Sequence, residues 1–147
     1  MTSVLKAIPS MEVTDAYKGD AAQLGNLLDS LGIDDLEAVA ADSAYLSRRN
    51  CELVEGAGAK PFINLKCNTR GRSRGSFAWR RMVYNFRRNP EEWKRMYHFR
   101  SSAESAFSAL KRRFGYRLSA IRKDLQRKEL MIKVIVYNIN IAGRILI

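Results

Sequence analysis

The sequence predicts an α/β fold in which parallel strands are joined by helices. Three features carry this prediction. Short apolar runs of strand length lie at residues 36–42 and 60–66, and an extended segment lies at 3–13. Helical repeats fill the gaps between them. The resulting order of strand, helix, strand, helix, strand calls for parallel pairing through right-handed crossovers.

Each element has a local reason. In "SVLKAIPSMEV", Pro9 removes a ladder donor, so this piece reads as an edge or irregular strand. In "GDAAQLGNLLDSLG", Asp20 and Gln23 have capping-box spacing, Leu24, Leu27, Leu28 and Leu31 repeat at helical intervals, and Gly32 stops the helix. "LEAVAAD" reads as a buried strand that ends in an acid. "SRRNCELVEGAG" reads as a helix closed by glycine, and "KPFINLK" as a second buried strand. Residues 66–88 form a basic stretch with glycine, serine and interleaved aromatics. At "NPEEWKRMYHFR" Asn89 predicts a cap, Pro90 a first helical position, and Glu91 and Glu92 favour the dipole's positive end. This helix is expected to run on, or bend, into residues 99–114. "GYRLSAIRKDL" reads as a loop, and a last helix spans about 125–146. One domain over residues 1–147 is expected, with a basic insertion-like segment at about 66–95.

The chain has 147 residues and a net charge of +11 at a sequence pI near 10.1. The charge is uneven. Residues 1–42 hold two Lys and eight acids, a net of −6, whereas residues 43–147 hold 24 Lys or Arg and seven acids, a net of +17. The basic part therefore predicts a polyanionic partner, nucleic acid first. Cys51 and Cys67 lack CxxC spacing and His98 is the only histidine, which excludes a zinc site of ordinary composition. The tail "ELMIKVIVYNINIAGRILI" is apolar but interrupted by Lys133, Asn138, Asn140 and Arg144. It reads as a buried helix and not as a membrane span.

Candidate chemistry centres on "MYHFRSSAESAFSALKRRFG". On a helical wheel Tyr97, Arg100, Glu104 and Lys111 fall within about 60° of one another. Phe99, Ala103, Phe107, Leu110 and Phe114 form a neighbouring stripe, expected to face the core. A solvated face would give only weak pairing, about 0.2–0.5 kcal/mol for Arg100 with Glu104. A second acid adds to the picture. Asp42 ends the predicted strand 36–42, and ligands bind at that end of strands in open α/β sheets. Asp42 and Glu104 offer the oxygen donors that a hard divalent ion takes, and such ions serve phosphodiester chemistry. The alternative for Asp42 is a helix N-cap.

Tyr97, Arg100, Glu104 and Lys111, with gaps of three, four and seven, reproduce the Y-R-E-K signature of DDE transposases of prokaryotic insertion sequences of the insertion-sequence-four type. "VAADSAYLSRRNCELVEGAGAKPFINLK" and "MEVTDAYKGDAAQLGNLLDSL" also resemble that family's block around its second catalytic Asp and the stretch before it. The resemblance implies an RNase H-like fold and a carboxylate site for Mg²⁺ or Mn²⁺. It implies hydrolysis of double-stranded DNA at transposon ends and joining of the freed 3′ hydroxyl to target DNA. By position, Asp42 and Glu104 would be catalytic, metal-binding carboxylates, and Tyr97, Arg100 and Lys111 would contact terminal phosphates. The family's paired assemblies imply a homodimer on DNA, in a prokaryotic cytoplasm beside the nucleoid.

The family's first catalytic Asp lies on a strand upstream of the segment that residues 3–20 resemble. The expectation is therefore an incomplete RNase H-like domain, the carboxyl-terminal half of a transposase, with impaired activity. Residues 3–13 would then pair with 36–41. Asp15 and Asp20 read as turn and cap residues. In the basic stretch Arg70, Arg72, Arg74, Arg80 and Arg81 are expected on DNA. Trp79, Tyr84 and Trp93 are expected in the core. A non-catalytic DNA-binding remnant or regulator of transposition is the alternative. A ribosomal-type RNA binder would explain the charge but not the Tyr97-to-Lys111 spacing.

Overall fold

The computed structural model describes residues 6–13, 19–32 and 35–144. Asp15 lies outside the described residues. The chain divides into two compact units, Thr14–Arg100, and Met1–Val13 with Ser101–Ile147.

The unit of residues 14–100 is built on a β-α-β core. A 3-10 turn, Asp20–Gln23, leads into α1 (Leu24–Leu31), and Gly32 ends it at φ +57°. The capping box expected from Asp20 and Gln23 rests on the Asp20 side chain, which lies outside what the structure describes. The α-helix starts at Leu24, which makes Gln23 its N-cap, and its side chain accepts a bond from Asn26. Next come β1 (Ala38–Ala41), α2 (Arg48–Gly56) and β2 (Lys60–Ile63). The two strands pair in parallel, with Ala38 opposite Lys60 and Ala41 opposite Ile63. Ser47 caps α2 by accepting from the Asn50 N–H at 3.0 Å. Buried Asn50 donates to the carbonyls of Tyr45 and Ala21, so its amide ties the preceding turns to the helix.

Helices α3 (Phe77–Arg88) and α4 (Pro90–His98) cover the sheet. Ser76 caps α3. Pro90 occupies the first position of α4, but the Asn89 side chain makes no capping bond. Its backbone closes α3 by donating to Asn85 and opens α4 by accepting from Trp93. Ile63, Met82, Val54, Val83 and Cys51 are fully buried. Burial pushes the Cys51 thiol up to about 12, so it stays neutral, while Cys67 is exposed.

The second unit pairs α5 (Arg100–Phe114) with α6 (Lys123–Gly143). Residues 6–13 form no strand. Pro9 breaks any ladder, and side chains answer the backbone instead. Asn138 accepts from the Ile8 N–H at 2.9 Å and donates to the Ile8 carbonyl at 2.7 Å, and the Tyr137 hydroxyl donates to the Lys6 carbonyl. The strand expected at 3–13 is therefore not formed over residues 6–13, residues 3–5 lie outside the described residues, and among the described residues the sheet consists of β1 and β2.

Helix α5 buries Ala106 and Leu110 against Ile8, Val134 and Tyr137, with Phe114 partly buried. Of the expected stripe only Leu110 is buried and Phe114 half-buried, whereas Phe99, Ala103 and Phe107 are exposed. Small Ala106 and Ala109 admit the neighbouring helix closely, an advantage that a hydrophobicity count ranks below phenylalanine. Helix α6 is less buried than its sequence predicts. Only Val134 and Tyr137 are fully inside, and Ile132, Ile135 and Ile139 are exposed. Among the described residues no helix is long and apolar enough to cross a membrane.

Gly115, at φ +80°, follows α5, and Glu129 organises the loop after it. The Glu129 carboxylate pairs with Lys133 at 2.8 Å and accepts from the N–H groups of Ser119 and Ala120. The bond from Lys133, followed by those backbone donors, holds its carboxyl down to about 2. A depressed folded value means that this stabilisation is complete above the ordinary glutamate range and is lost as pH falls toward 2. Glu129→Gln is expected to lower the midpoint of thermal unfolding at neutral pH, and the deficit should shrink near pH 2. An equal deficit at both pH values would show that ionisation is irrelevant there.

Candidate nucleic-acid and metal site

Asp42 directly follows β1, where the strand end opens to solvent. Its Oδ1 accepts from the Ala44 N–H at 2.8 Å and so caps a 3-10 turn, Ser43–Tyr45. The capping role anticipated from the sequence is real, and the carboxylate stays exposed. Glu104 is exposed on α5, on the wall of a cleft of about 780 Å³. Lys6, Arg112, Arg113 and Arg144 also line that cleft, together with Ser101, Ser105 and Ser108. Arg113 donates to Asn140 at 2.9 Å, which fixes one of these cations.

The four residues read as one helical face do not share one helix. Phe99 breaks the run, so Tyr97 ends up on α4, while Arg100, Glu104 and Lys111 lie on α5. Tyr97 is half-buried against the sheet-covering core. The Arg100 guanidinium lies over its ring at 5.4 Å, a cation–π contact across the break. Lys111 is exposed and does not line the α5 cleft. The cations that do line it, Lys6, Arg112, Arg113 and Arg144, were missed by the sequence reading. The available signal was the spacing of Ser101, Ser105, Ser108 and Arg112, which repeats down one face of a helix.

The basic stretch divides into a loop and helix α3. Arg70, Arg72, Arg74 and Arg80 gather around a recess of about 630 Å³, joined by Arg87, Gly71 and Ser73. No acid lines it. Arg81 stands apart, paired with Glu55 through a 3.0 Å Nε–Oε1 bond. That bond raises the Arg81 pKa and offsets its charge. Of the aromatics, Trp79 and Trp93 are buried as expected, whereas Tyr84 is exposed, with Arg88 over its ring at 5.6 Å. Trp79 cannot stack on a base. Its indole N–H donates to the Arg70 carbonyl at 3.0 Å, and Arg48 covers its ring at 4.7 Å.

The donor set bears on a metal as follows. Asp42 and Glu104 are exposed carboxylates, the oxygen type that Mg²⁺ or Mn²⁺ takes. Among the described residues no group of three His, Cys, Asp or Glu side chains is gathered for a metal. Asp42 belongs to the unit of residues 14–100 and Glu104 to the other, and each is a single exposed carboxylate of the kind that meets a largely hydrated divalent ion.

Searches of curated proteins and of solved structures gave no match. A family model described as a transposase DDE domain matches residues 5–139, nearly the full chain. With that match, the chain belongs to the DDE transposases, whose domains generally use divalent metals and whose substrate is DNA.

Proposed function

We propose that this chain carries the metal-dependent chemistry of an insertion-sequence transposase of the insertion-sequence-four type, on an RNase H-like scaffold and in a prokaryotic host. The reaction is hydrolysis of duplex DNA at transposon ends, followed by attack of the freed 3′ hydroxyl on target DNA. The observation that supports it most is the family match over residues 5–139, which brackets both exposed carboxylates, Asp42 and Glu104.

In this reading Asp42 and Glu104 hold Mg²⁺ or Mn²⁺. When bound, the ion supplies Lewis-acid stabilisation of the charge that develops at phosphorus. The protein's own groups supply binding and orientation. Asp42 is presented by the turn it caps. The cations of the α5 cleft, Arg112 and Arg113 among them, neutralise phosphates next to Glu104. Arg100, steadied over Tyr97, and Lys111 contact terminal phosphates. Arg70, Arg72, Arg74, Arg80 and Arg81 hold DNA farther along, and the active form is a homodimer on DNA.

The test is a cleavage assay on a duplex that contains the DNA flanking this chain's own gene. Strand breaks with 3′ hydroxyl ends are expected with Mn²⁺ or Mg²⁺ and not with EDTA. Binding without breaks would establish the second reading, a non-catalytic DNA-binding regulator of transposition. That reading is favoured because no group of three metal-ligating side chains is gathered among the described residues.

A further inference from the structure

We infer that the arginine recess beside α3 is a metal-independent clamp for the phosphates of a DNA backbone, one that reads no bases. It rests on the preceding reading only for the identity of the partner, DNA.

The recess concentrates like charge. Five guanidinium groups line it, and those of Arg70, Arg72, Arg74 and Arg80 form no ion pair or hydrogen bond with any other described residue. Five cations without an acid repel one another, so the arrangement is relieved by bound anions. Planar guanidinium forks match phosphate oxygens.

The loop is also built to hold this arrangement. Arg48 donates to the carbonyls of Ser73 and Arg72 at 3.1 and 3.2 Å, and Trp79 donates to that of Arg70. Arg87 reaches the Thr69 carbonyl. Protein donors thus draw the loop's acceptors inward, and what remains toward the recess is positive. Gly71 lies flat on α3, where a Cβ would meet the Val83 Cγ1 at 3.3 Å. Arg74 has φ +44° and is the one non-glycine residue with positive φ among those described. That backbone region is costly for any side chain with a Cβ, and here it carries one of the recess cations.

The recess lacks the aromatic platforms on which unpaired bases stack. No aromatic lines it. The nearest large ring, Trp79, is buried under Arg48 with its N–H committed. Aromatic stacking on unpaired bases is therefore excluded there, and guanidinium forks without an aromatic platform favour phosphate contacts, which carry no sequence information.

The experiment measures binding of the full chain, in EDTA, to two duplexes of equal length and unrelated sequence across a salt series. Arg72→Ala, Arg80→Ala and Arg74→Gly are each expected to reduce the slope of log affinity against log salt by about 1, equally on both duplexes. Arg74→Gly is the sharpest variant. It relieves the positive φ, so it should unfold no earlier than the wild type and still lose slope, which a merely structural role would not give. Unchanged slopes in all three variants, or weakening on one duplex only, would overturn the inference. So would loss of binding to inorganic polyphosphate without loss on DNA, because it would assign the recess to a free polyphosphate. Slope losses in a chain that never cleaves DNA would sink the nuclease reading and leave the clamp standing. Cleavage with unchanged slopes would do the reverse.

Discussion

Asp42→Asn should fold like the wild type and lose metal-dependent cleavage by about a hundredfold to a thousandfold, the rate equivalent of several kcal/mol of lost transition-state stabilisation. This one side chain has two separable duties. As a cap, Asp42 needs only an oxygen that accepts from the Ala44 N–H, and asparagine retains one. As a metal donor it needs negative charge, which asparagine lacks. Asp42→Ala removes both and should also cost about 1 kcal/mol of stability. Glu104→Gln should match Asp42→Asn in rate loss. Its stability should stay within about 0.5 kcal/mol of wild type, because the residue is exposed on α5. Cleavage rates and thermal midpoints measured on the three variants decide the matter. Full activity in Asp42→Asn would reduce that residue to a turn cap.

Trp93→Ala should unfold residues 14–100 under mild conditions. Trp93 is 3% exposed, packs on Phe62 at a ring distance of 5.0 Å, and meets Phe86 edge-on at 5.4 Å. It joins α4 to the strand β2 beneath. Truncating a buried tryptophan costs about 3–5 kcal/mol, much of the roughly 5–15 kcal/mol that holds an ordinary domain together. Urea unfolding followed by circular dichroism measures the loss. A loss below about 1 kcal/mol would mean that α4 does not depend on this side chain to hold the sheet.

The β-α-β core was legible because its signals are local. Apolar runs end at Asp42 and after Ile63, Ser47 caps the intervening helix, and Gly32 stops the one before. The features that escaped depend on partners far along the chain. Nothing in "MYHFRSS" announces the break at Phe99, since it contains neither proline nor glycine. Asn138 reads as a lone polar interruption in an apolar helix, yet it serves Ile8, 130 residues away. Arg48 reads as a solvated helix residue, yet it holds the arginine loop across 25 residues. The exposed place of Asp42 after β1 and the crowding of arginines in the basic loop were legible from residue type and position. The cleft beside Glu104 was not, because Lys6 and Arg144 come from opposite ends of the chain. Which face of α5 turns inward was settled by the helix it meets and not by its own pattern.

The double bond between Asn138 and Ile8 fixes an order of assembly. Residues 14–100 are continuous, so they can collapse on their own while the ribosome is still adding the rest. The other compact unit needs an early segment and a very late one, and its closure spans almost the whole polypeptide. It cannot finish until α6 has emerged, and it must bear the entropy of that long loop. During synthesis the arginine clamp is therefore ready before Glu104 has a settled place.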